Sequence, residues 1–210
     1  MSTITLDGRS LTFDSLRKIL QDRNVRLVIS PAARKRVARS RKFVEKALAG
    51  GRSVYGVNTG FGKMAETRIE GDHLEELQRN LLMSHAVGVG DPASPGVSAL
   101  LIALRANSLA YGNSGVSVGL IERLMEMFNR SILPVIPEMG SVGASGDLAP
   151  LAHLGTVMLG CGATVFRGRP VTADRALRTA GLKPYGFKPK EALSLINGVQ
   201  FTAAMLAETL

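Results

Sequence analysis

A chain of 210 residues is long enough to bury a substantial hydrophobic core. Hydrophobic residues make up 45% and charged residues 20%, which is typical of a globular protein, and the formal net charge is +9. No stretch approaches the ~20 consecutive apolar residues of a membrane-spanning helix, and the first residues lack a charged segment followed by an apolar run. We therefore expect neither a membrane partner nor a signal peptide. The single cysteine, Cys161, cannot form an internal disulfide, which fits a reducing cytoplasm.

The positive charge is concentrated between Arg34 and Lys46, where seven basic residues fall. On a helix, Ala33, Val37 and Val44 lie on one apolar stripe, which leaves the basic side chains for the remaining circumference. This pattern predicts a solvated face rather than a phosphate-binding surface. Because no nucleic-acid motif accompanies it, we expect no nucleic-acid partner.

The first third of the chain is predicted to contain two short strands and a helix. Extended segments are expected at Thr3–Leu6 and Val25–Ile29. A helix should begin at Ser30-Pro31, where serine can cap the first turn and proline suits its first position, and should end at Gly50-Gly51. Residues 51–70 are rich in Gly, Ser, Thr and Asn and predict an irregular loop.

The rest of the chain is predicted to be mainly helical. Helical spacing of apolar residues predicts helices at the following positions: 72–86, 95–111, 116–129, 147–159, 173–180 and a last region that still continues at Leu210. Between 133 and 146, two prolines and three glycines argue against helix or strand, and a small hairpin is expected at Thr164–Val171. The predicted fold class is therefore mainly α with small β elements, and we expect the sequence to stop inside a helix.

The segment from Gly140 to His153 is the most unusual in the sequence, because small residues crowd its first half. A purely structural interpretation is a flexible loop that enters a helix, with Ser145 and Asp147 as possible N-caps. That interpretation accounts for a serine and an aspartate before an apolar run. It does not account for the run of small residues that ends at Gly146.

A chemical interpretation accounts for the small residues. The backbone nitrogen of Gly146 can attack the carbonyl of Ala144, because glycine lacks Cβ and tolerates a sharp bend. Loss of water from Ser145 then leaves an exocyclic methylidene, and the product is a methylidene-imidazolone ring. Such a ring is a strong electrophile of a kind that ordinary side chains do not offer. A helix N-terminus directly behind it would stabilise added negative charge.

This segment resembles the signature of the ammonia-lyase family that includes histidine and phenylalanine ammonia-lyases. Residues 53–62 resemble the mobile active-site loop of that family, residues 78–85 its substrate-selecting helix, and residues 190–198 the segment with its active-site asparagine. The order and approximate spacing of these segments agree, so the resemblance covers essentially the whole chain.

The resemblance implies a fold, an assembly and a location. The chain should be the N-terminal part of an aspartase/fumarase-like fold, with residues 1–196 as the domain carrying the ring loop. Residues 197–210 should begin the long central helical bundle. The family implies a cytoplasmic homotetramer whose ring is made from its own Ala144, Ser145 and Gly146, with no external cofactor. With only three histidines and no metal-ligand spacing, we also expect no metal.

The resemblance also assigns roles to individual side chains, and each has a structural alternative. Tyr55 would remove the β-proton of the substrate, or would simply pack in its loop. His85 would recognise an imidazole side chain, or would be a buried, hydrogen-bonded structural histidine. Asn197 would contact the ring or polar groups of the substrate, or would cap the last helix. Asp147 would assist cyclisation or cap a helix, and His153 is expected to be structural.

The activity implied by the resemblance is elimination of ammonia from L-histidine to give trans-urocanate. The substrate amine, or its aromatic ring, would add to the methylidene carbon. The pair Ser84-His85 matches the histidine-specific members and is the main reason to favour histidine. The alternatives are a tyrosine or phenylalanine ammonia-lyase or aminomutase with the same ring, and a non-catalytic fragment or subunit. Because the family places further catalytic residues later in its chain, we expect these 210 residues alone to be inactive or nearly so.

Overall fold

The computed structural model describes residues 2–22, 24–50, 53–60, 67–69, 71–141 and 146–209. Its helices are α1 (Phe13–Gln21), α2 (Pro31–Ala49), α3 (Leu74–His85), α4 (Pro95–Ala110), α5 (Val118–Asn129), α6 (Ala149–Met158), α7 (Ala173–Thr179), α8 (Glu191–Ile196) and α9 (Gln200–Thr209). Its strands are β1 (Thr3–Leu6), β2 (Arg26–Ile29), β3 (Val89–Pro92), β4 (Ile132–Pro134), β5 (Pro137–Met139), β6 (Ala163–Phe166) and β7 (Arg169–Thr172). The mainly helical fold class is as predicted.

The amino-terminal elements follow the sequence signals closely. β1 and β2 pair in parallel, with Thr3 opposite Arg26. The Ser30 side chain accepts a hydrogen bond from the Ala33 amide at 3.1 Å, which confirms the predicted N-cap of α2. α1 was not predicted, although Thr12 caps it in the same way and its apolar residues Leu16 and Ile19 are buried.

The other two sheets of the described residues, β4-β6-β7 and β3-β5, confirm one prediction and correct another. β6 and β7 form the expected hairpin, whose two turn residues Arg167 and Gly168 both have positive φ. The expectation that residues 133–146 contain no strand is wrong. β4 pairs with β6, and β5 pairs with β3, which was also not predicted. Pro134 ends an edge strand and Pro137 begins another, and these are positions where the missing amide of proline costs little.

Helix α4 forms the centre of the core. Its residues Leu100 to Ala103 are fully buried, and α9 packs along it through Phe201 and Ala204. At the end of this contact, the hydroxyl of Ser94 donates a hydrogen bond to the carboxylate of Glu208. The predicted boundary between a domain of residues 1–196 and a bundle beginning at 197 falls between α8 and α9 and stays a prediction.

The basic helix α2 requires a correction at one position. Arg41 does not lie on the solvated face but is only 6% exposed, on the same side as Ala33 and Val44. Its guanidinium donates to the carbonyl oxygens of Gly115 at 3.3 Å and Pro189 at 2.9 Å. The apolar stripe is therefore as expected, and one long side chain next to it reaches backbone acceptors that the helical pattern does not reveal.

Helices α3, α6 and α8 pack against one another, and we call the region where they meet the junction. Gln78 of α3 accepts a hydrogen bond from the Ala192 amide at 3.1 Å. A Cβ at Gly155 of α6 would lie 2.5 Å from Leu82 and 3.2 Å from Leu195, so glycine lets the three helices pack closely. α3 and α8 therefore run in the same direction. Because Gly88, beyond the end of α3, contacts His153, which precedes Gly155 in α6, α6 runs opposite to them. The C-termini of α3 and α8 and the N-terminus of α6 lie at one end of the junction.

Candidate active site

His85 is the last residue of α3, at that end of the junction, and is half-buried. Its Nδ1 lies 2.9 Å from the Leu81 carbonyl oxygen. Because a carbonyl can only accept, this contact assigns the proton of a neutral ring to Nδ1 and the lone pair to Nε2. The neighbouring Ser84 is exposed and donates its hydroxyl proton to the same carbonyl at 3.1 Å. His85 is thus half-buried and hydrogen-bonded, and its role in substrate recognition stays a prediction beside the structural alternative.

Gly146 lies two residues before the first turn of α6, and it is the described member of the predicted ring triad. Ala144 and Ser145 lie outside the described residues. Gly146 has φ +114°, and a Cβ there would lie 2.8 Å from Val199 and 3.3 Å from the Gly198 carbonyl oxygen. No other residue fits this position without strain and a clash. The backbone at Gly146 is thus held against the turn between α8 and α9.

Asp147 joins the two sides of this loop. Its Oδ1 accepts hydrogen bonds from the Ser141 amide at 2.7 Å, the Ser141 hydroxyl at 2.9 Å and the Ala149 amide at 3.0 Å. A Cβ at Gly140 would collide with the same carboxylate, so only glycine admits it. Asp147 was considered as an N-cap, but the N-cap residue of α6 is Leu148. The carboxylate instead holds Ser141 close to the start of α6, with the residues of the triad between them.

Asn197 is the C-cap of α8, not a cap of the last helix as the structural alternative proposed. Its carbonyl oxygen accepts from Nη2 of Arg105 at 3.0 Å. The same guanidinium donates to the Ser194 carbonyl, and its Nη1 donates to Gln200 at 2.9 Å. Arg105 is 4% exposed, and its burial lowers the pKa of the guanidinium to about 10, so it remains charged at neutral pH. It fixes the turn that touches Gly146.

His153 lies one turn inside α6 and is half-buried. Its Nε2 is 3.1 Å from the Gly88 nitrogen. An amide can only donate, so Nε2 is the acceptor and the neutral ring carries its proton on Nδ1. Burial lowers the pKa of His153, and the nearby Asp147 opposes this to a smaller extent. The expectation of a structural histidine agrees with these contacts.

Tyr55 lies in a loop whose described residues are 53–60 and 67–69. Its side chain is 60% exposed, whereas Asn58 and Thr59 beside it are buried. Gly56 turns the chain with φ +70°, and the Asn58 side chain accepts from the Val54 amide at 2.7 Å. Asn58 lines a surface depression together with Leu48 of α2 and Leu74 at the start of α3. The described contacts of this loop are thus at the opposite end of α3 from His85.

The structure therefore brings three of the predicted site residues, His85, Gly146 and Asn197, to one end of the junction. Sequence reasoning missed the residues that hold them there, Arg105 and the His153–Gly88 pair. Arg105 did leave a signal, because it is the only charged residue in the apolar sequence of α4. In the described parts of the chain, no group of three metal-ligating side chains lies together, and no helix combines the length and apolarity needed to cross a membrane.

Solved structures with this architecture define the class of fold. Histidine ammonia-lyase from Trypanosoma cruzi has a TM-score of 0.90 at 38% identity and covers 99% of this chain and 40% of its own. The ergothioneine-degrading enzyme ergothionase from Treponema denticola has a TM-score of 0.93 at 30% identity and covers 99% of this chain and 41% of its own. The fold is that of the ammonia-lyases and aminomutases, which is aspartase/fumarase-like.

Sequence comparison gives the family. The model of the aromatic amino acid lyase family matches residues 11–210, and the chain belongs to this family. Histidine ammonia-lyase of Geobacillus thermodenitrificans is 47% identical over 202 residues, which is 96% of this chain and 40% of that protein. The chain spans 40% to 42% of the length of such curated relatives.

Proposed function

We propose that this chain forms part of a histidine ammonia-lyase, which eliminates ammonia from L-histidine to give trans-urocanate. The observation that carries the proposal is the meeting of His85, Gly146 and Asn197 at one end of the junction. The 47% identity to a relative named histidine ammonia-lyase supports the choice of substrate. The activity is proposed for the assembled protein, with a homotetramer in the cytoplasm as its proposed form.

His85 is suited to recognising an imidazole. Because Nδ1 donates to the Leu81 carbonyl, the ring orientation and tautomer are fixed before substrate arrives. Nε2 then presents a lone pair that can accept the N–H of the substrate imidazole. A phenyl or phenol ring offers no N–H at this point, so its binding would leave a polar nitrogen unpaired.

The backbone around Gly146 fits a ring formed from Ala144, Ser145 and Gly146, with no external cofactor. Cyclisation requires an unhindered nitrogen and a sharp bend, and Gly146 has positive φ in a space that excludes a Cβ. Asp147 holds Ser141 and the start of α6 together on either side of the triad. The ring would supply an electrophile that turns the substrate amino group into a better leaving group. The N-terminus of α6 next to it would favour negative charge.

Tyr55 and Asn197 complete the proposed chemistry. The phenol of Tyr55 would take the β-proton, and its exposed position in a loop suits a group that closes over bound substrate. Asn197, at the exposed C-terminus of α8, would bind polar groups of the substrate. The exposed apolar side chain of Val199 near this end, and that of Leu206 further along α9, support further burial in an assembly.

The intact mass of the 210-residue chain tests the ring directly. Cyclisation and dehydration together remove two waters, so we expect a mass lower than the sequence mass by two waters. A Ser145→Ala variant cannot dehydrate and serves as the control. An unchanged wild-type mass in a preparation that turns over histidine would contradict the proposed electrophile.

Substrate choice is tested in a chimera that joins residues 1–210 to the remaining part of the Geobacillus relative. Histidine, tyrosine, phenylalanine and ergothioneine are compared as substrates, with urocanate followed by its ultraviolet absorbance. We expect histidine to be preferred and His85→Leu to lower kcat/KM for histidine by at least about a hundredfold. The matched control is His73→Leu on the exposed start of α3, which should leave it unchanged.

Three other results would contradict the proposal and indicate a different function. Preference for tyrosine or phenylalanine would indicate an aromatic lyase, and a β-amino acid product would indicate an aminomutase. A chimera with a formed ring and no turnover of any of these substrates would favour a non-catalytic role for the chain.

A further inference from the structure

The backbone that follows His85 has to be anchored, because a helix end with free amides would not hold a recognition residue in place. After α3, the Ala86 amide still bonds to the Leu82 carbonyl and the Val87 amide bonds to the His85 carbonyl. The next amide, Gly88, has no helical acceptor left. Its proton goes instead to Nε2 of His153, on the opposing helix α6.

The contact between Gly88 and His153 is close-packed. A Cβ at Gly88 would lie 3.1 Å from His153 Nε2, 3.3 Å from the Met139 carbonyl oxygen and 3.3 Å from Pro137. Gly88 is therefore enclosed by α6 on one side and β5 on the other. A rotation of the imidazole or a shift of the chain by a few tenths of an ångström would break the hydrogen bond.

α6 thereby contacts both halves of the site. Asp147, just before α6, holds Ser141 and the first amide of the helix, while His153, one turn later, holds the exit from α3. Because a helical turn is rigid, this short segment at the start of α6 fixes the positions of the Gly146 backbone and the end of α3 relative to each other.

We propose that His153 is a positioning residue for His85: its Nε2 fixes the Gly88 amide and so holds the end of α3 against the segment that carries Gly146. The role of His85 as the group that recognises the substrate rests on the proposed function. The positioning itself does not, because it concerns only contacts within this chain.

The hydrogen bond can be measured in the ¹⁵N-labelled wild-type chain. Only His73, His85 and His153 contribute imidazole signals, so long-range ¹H–¹⁵N spectra can assign each ring. We expect His153 to be protonated on Nδ1, with a coupling across the hydrogen bond between its Nε2 and the Gly88 nitrogen. Protonation on Nε2, or the absence of this coupling, would overturn the proposal.

Two variants test whether the bond positions His85. In His153→Leu, exchange of the Gly88 amide proton should become about fivefold faster or more, the factor expected for one lost hydrogen bond. The imidazole signals of His85 should shift with it. His153→Gln supplies a carbonyl acceptor at nearly the same reach, and both signals should return to their wild-type values. If His153 had only a general packing role, the imidazole signals of His85 would not be expected to recover when glutamine restores a hydrogen-bond acceptor at position 153.

The control is His73→Leu, the same change at the exposed start of α3, which should move neither signal. If His153→Leu does not fold, His153→Gln and the wild-type coupling decide the question. Wild-type His85 signals in a folded His153→Leu chain would overturn the proposal. None of these measurements involves substrate, so a failure of the proposed function would appear only in the kinetics of His85→Leu.

Discussion

The junction and the Tyr55 loop are built in different ways. At the junction, glycines at 146 and 155 admit contacts that no Cβ would allow, and buried donors such as Arg105 hold the ends of the helices. The Tyr55 loop has short local bonds around Asn58, and the side chain of Tyr55 is 60% exposed. The two regions meet α3 at opposite ends.

The two regions correspond to two tasks of the proposed lyase site. Recognition and the electrophile require fixed geometry, because small displacements of binding groups cost large factors in rate. Proton removal by a loop requires closure and release, which a tightly packed junction would prevent. Changes to the glycines and buried donors of the junction should therefore affect ring formation or stability, whereas changes at Tyr55 should affect turnover alone.

The largest effect is expected for Gly146→Ala. The added Cβ would lie 2.8 Å from Val199 on a backbone with φ +114°, so the loop cannot keep the conformation in which the nitrogen attacks. We expect no ring, seen as an intact mass that retains both waters, and no measurable activity in the chimera. A normal loss of two waters would show that the observed backbone is not required for cyclisation.

Gly168→Ala is the matched control for that variant. Gly168 also has positive φ, but it lies in the β6–β7 turn with no atom within 4 Å of an added Cβ. It should lower the free energy of unfolding by about 1 kcal/mol through backbone strain and leave the ring intact. The comparison separates strain at any glycine from the specific enclosure of Gly146.

Tyr55→Phe tests the loop by itself. We expect kcat in the chimera to fall by about 10²–10⁴-fold, as for removal of a general base. The melting temperature and the intact mass should stay unchanged, because the side chain is largely exposed and the change removes only one hydroxyl. A lower melting temperature, or a ring that fails to form, would show that this loop supports the junction.

Local parts of the fold could be predicted because their signals lie within a few residues. Ser30-Pro31 identified the start of α2, and Gly168 identified the hairpin turn. The strands around Pro134 and Pro137 could not be predicted in this way. Proline excludes a residue from the middle of a sheet, but whether a strand lies at an edge depends on its distant partners.

In the candidate site, too, local features could be predicted and long-range contacts could not. The chemical types at Tyr55, His85 and the triad were evident from motifs, whereas the contacts that hold them were not. His153 and Gly88 are 65 residues apart, and Arg105 and Asn197 are 92 apart. Their pairing follows from how α3, α4, α6 and α8 pack, which no local pattern records. The charge of Arg105 in an apolar helix indicated a buried role without indicating its partners.

Replacing that arginine should mainly affect stability. Arg105→Met leaves the carbonyl oxygens of Ser194 and Asn197 without their charged donor. We expect a loss of at least about 2 kcal/mol in the free energy of unfolding, measured by urea denaturation. Arg105→Lys should be intermediate, because one ammonium cannot reach all the acceptors. The exposed Arg17→Met is the control, and an equal loss there would remove any special role for Arg105.

The smallest expected effect is a pH dependence at His153. Burial lowers its pKa below the ordinary value of 6.5, so the native ring stays neutral at a pH where the unfolded chain already binds a proton. Stability is therefore fully present above 6.5 and declines as pH falls from there through the lower native pKa. Between about pH 7.5 and about pH 5, the melting temperature of the wild type should fall more than that of His153→Gln, whose amide does not titrate. Parallel curves would mean that protonation of His153 is not linked to unfolding, and that its bond to Gly88 adds nothing measurable to the free energy of unfolding.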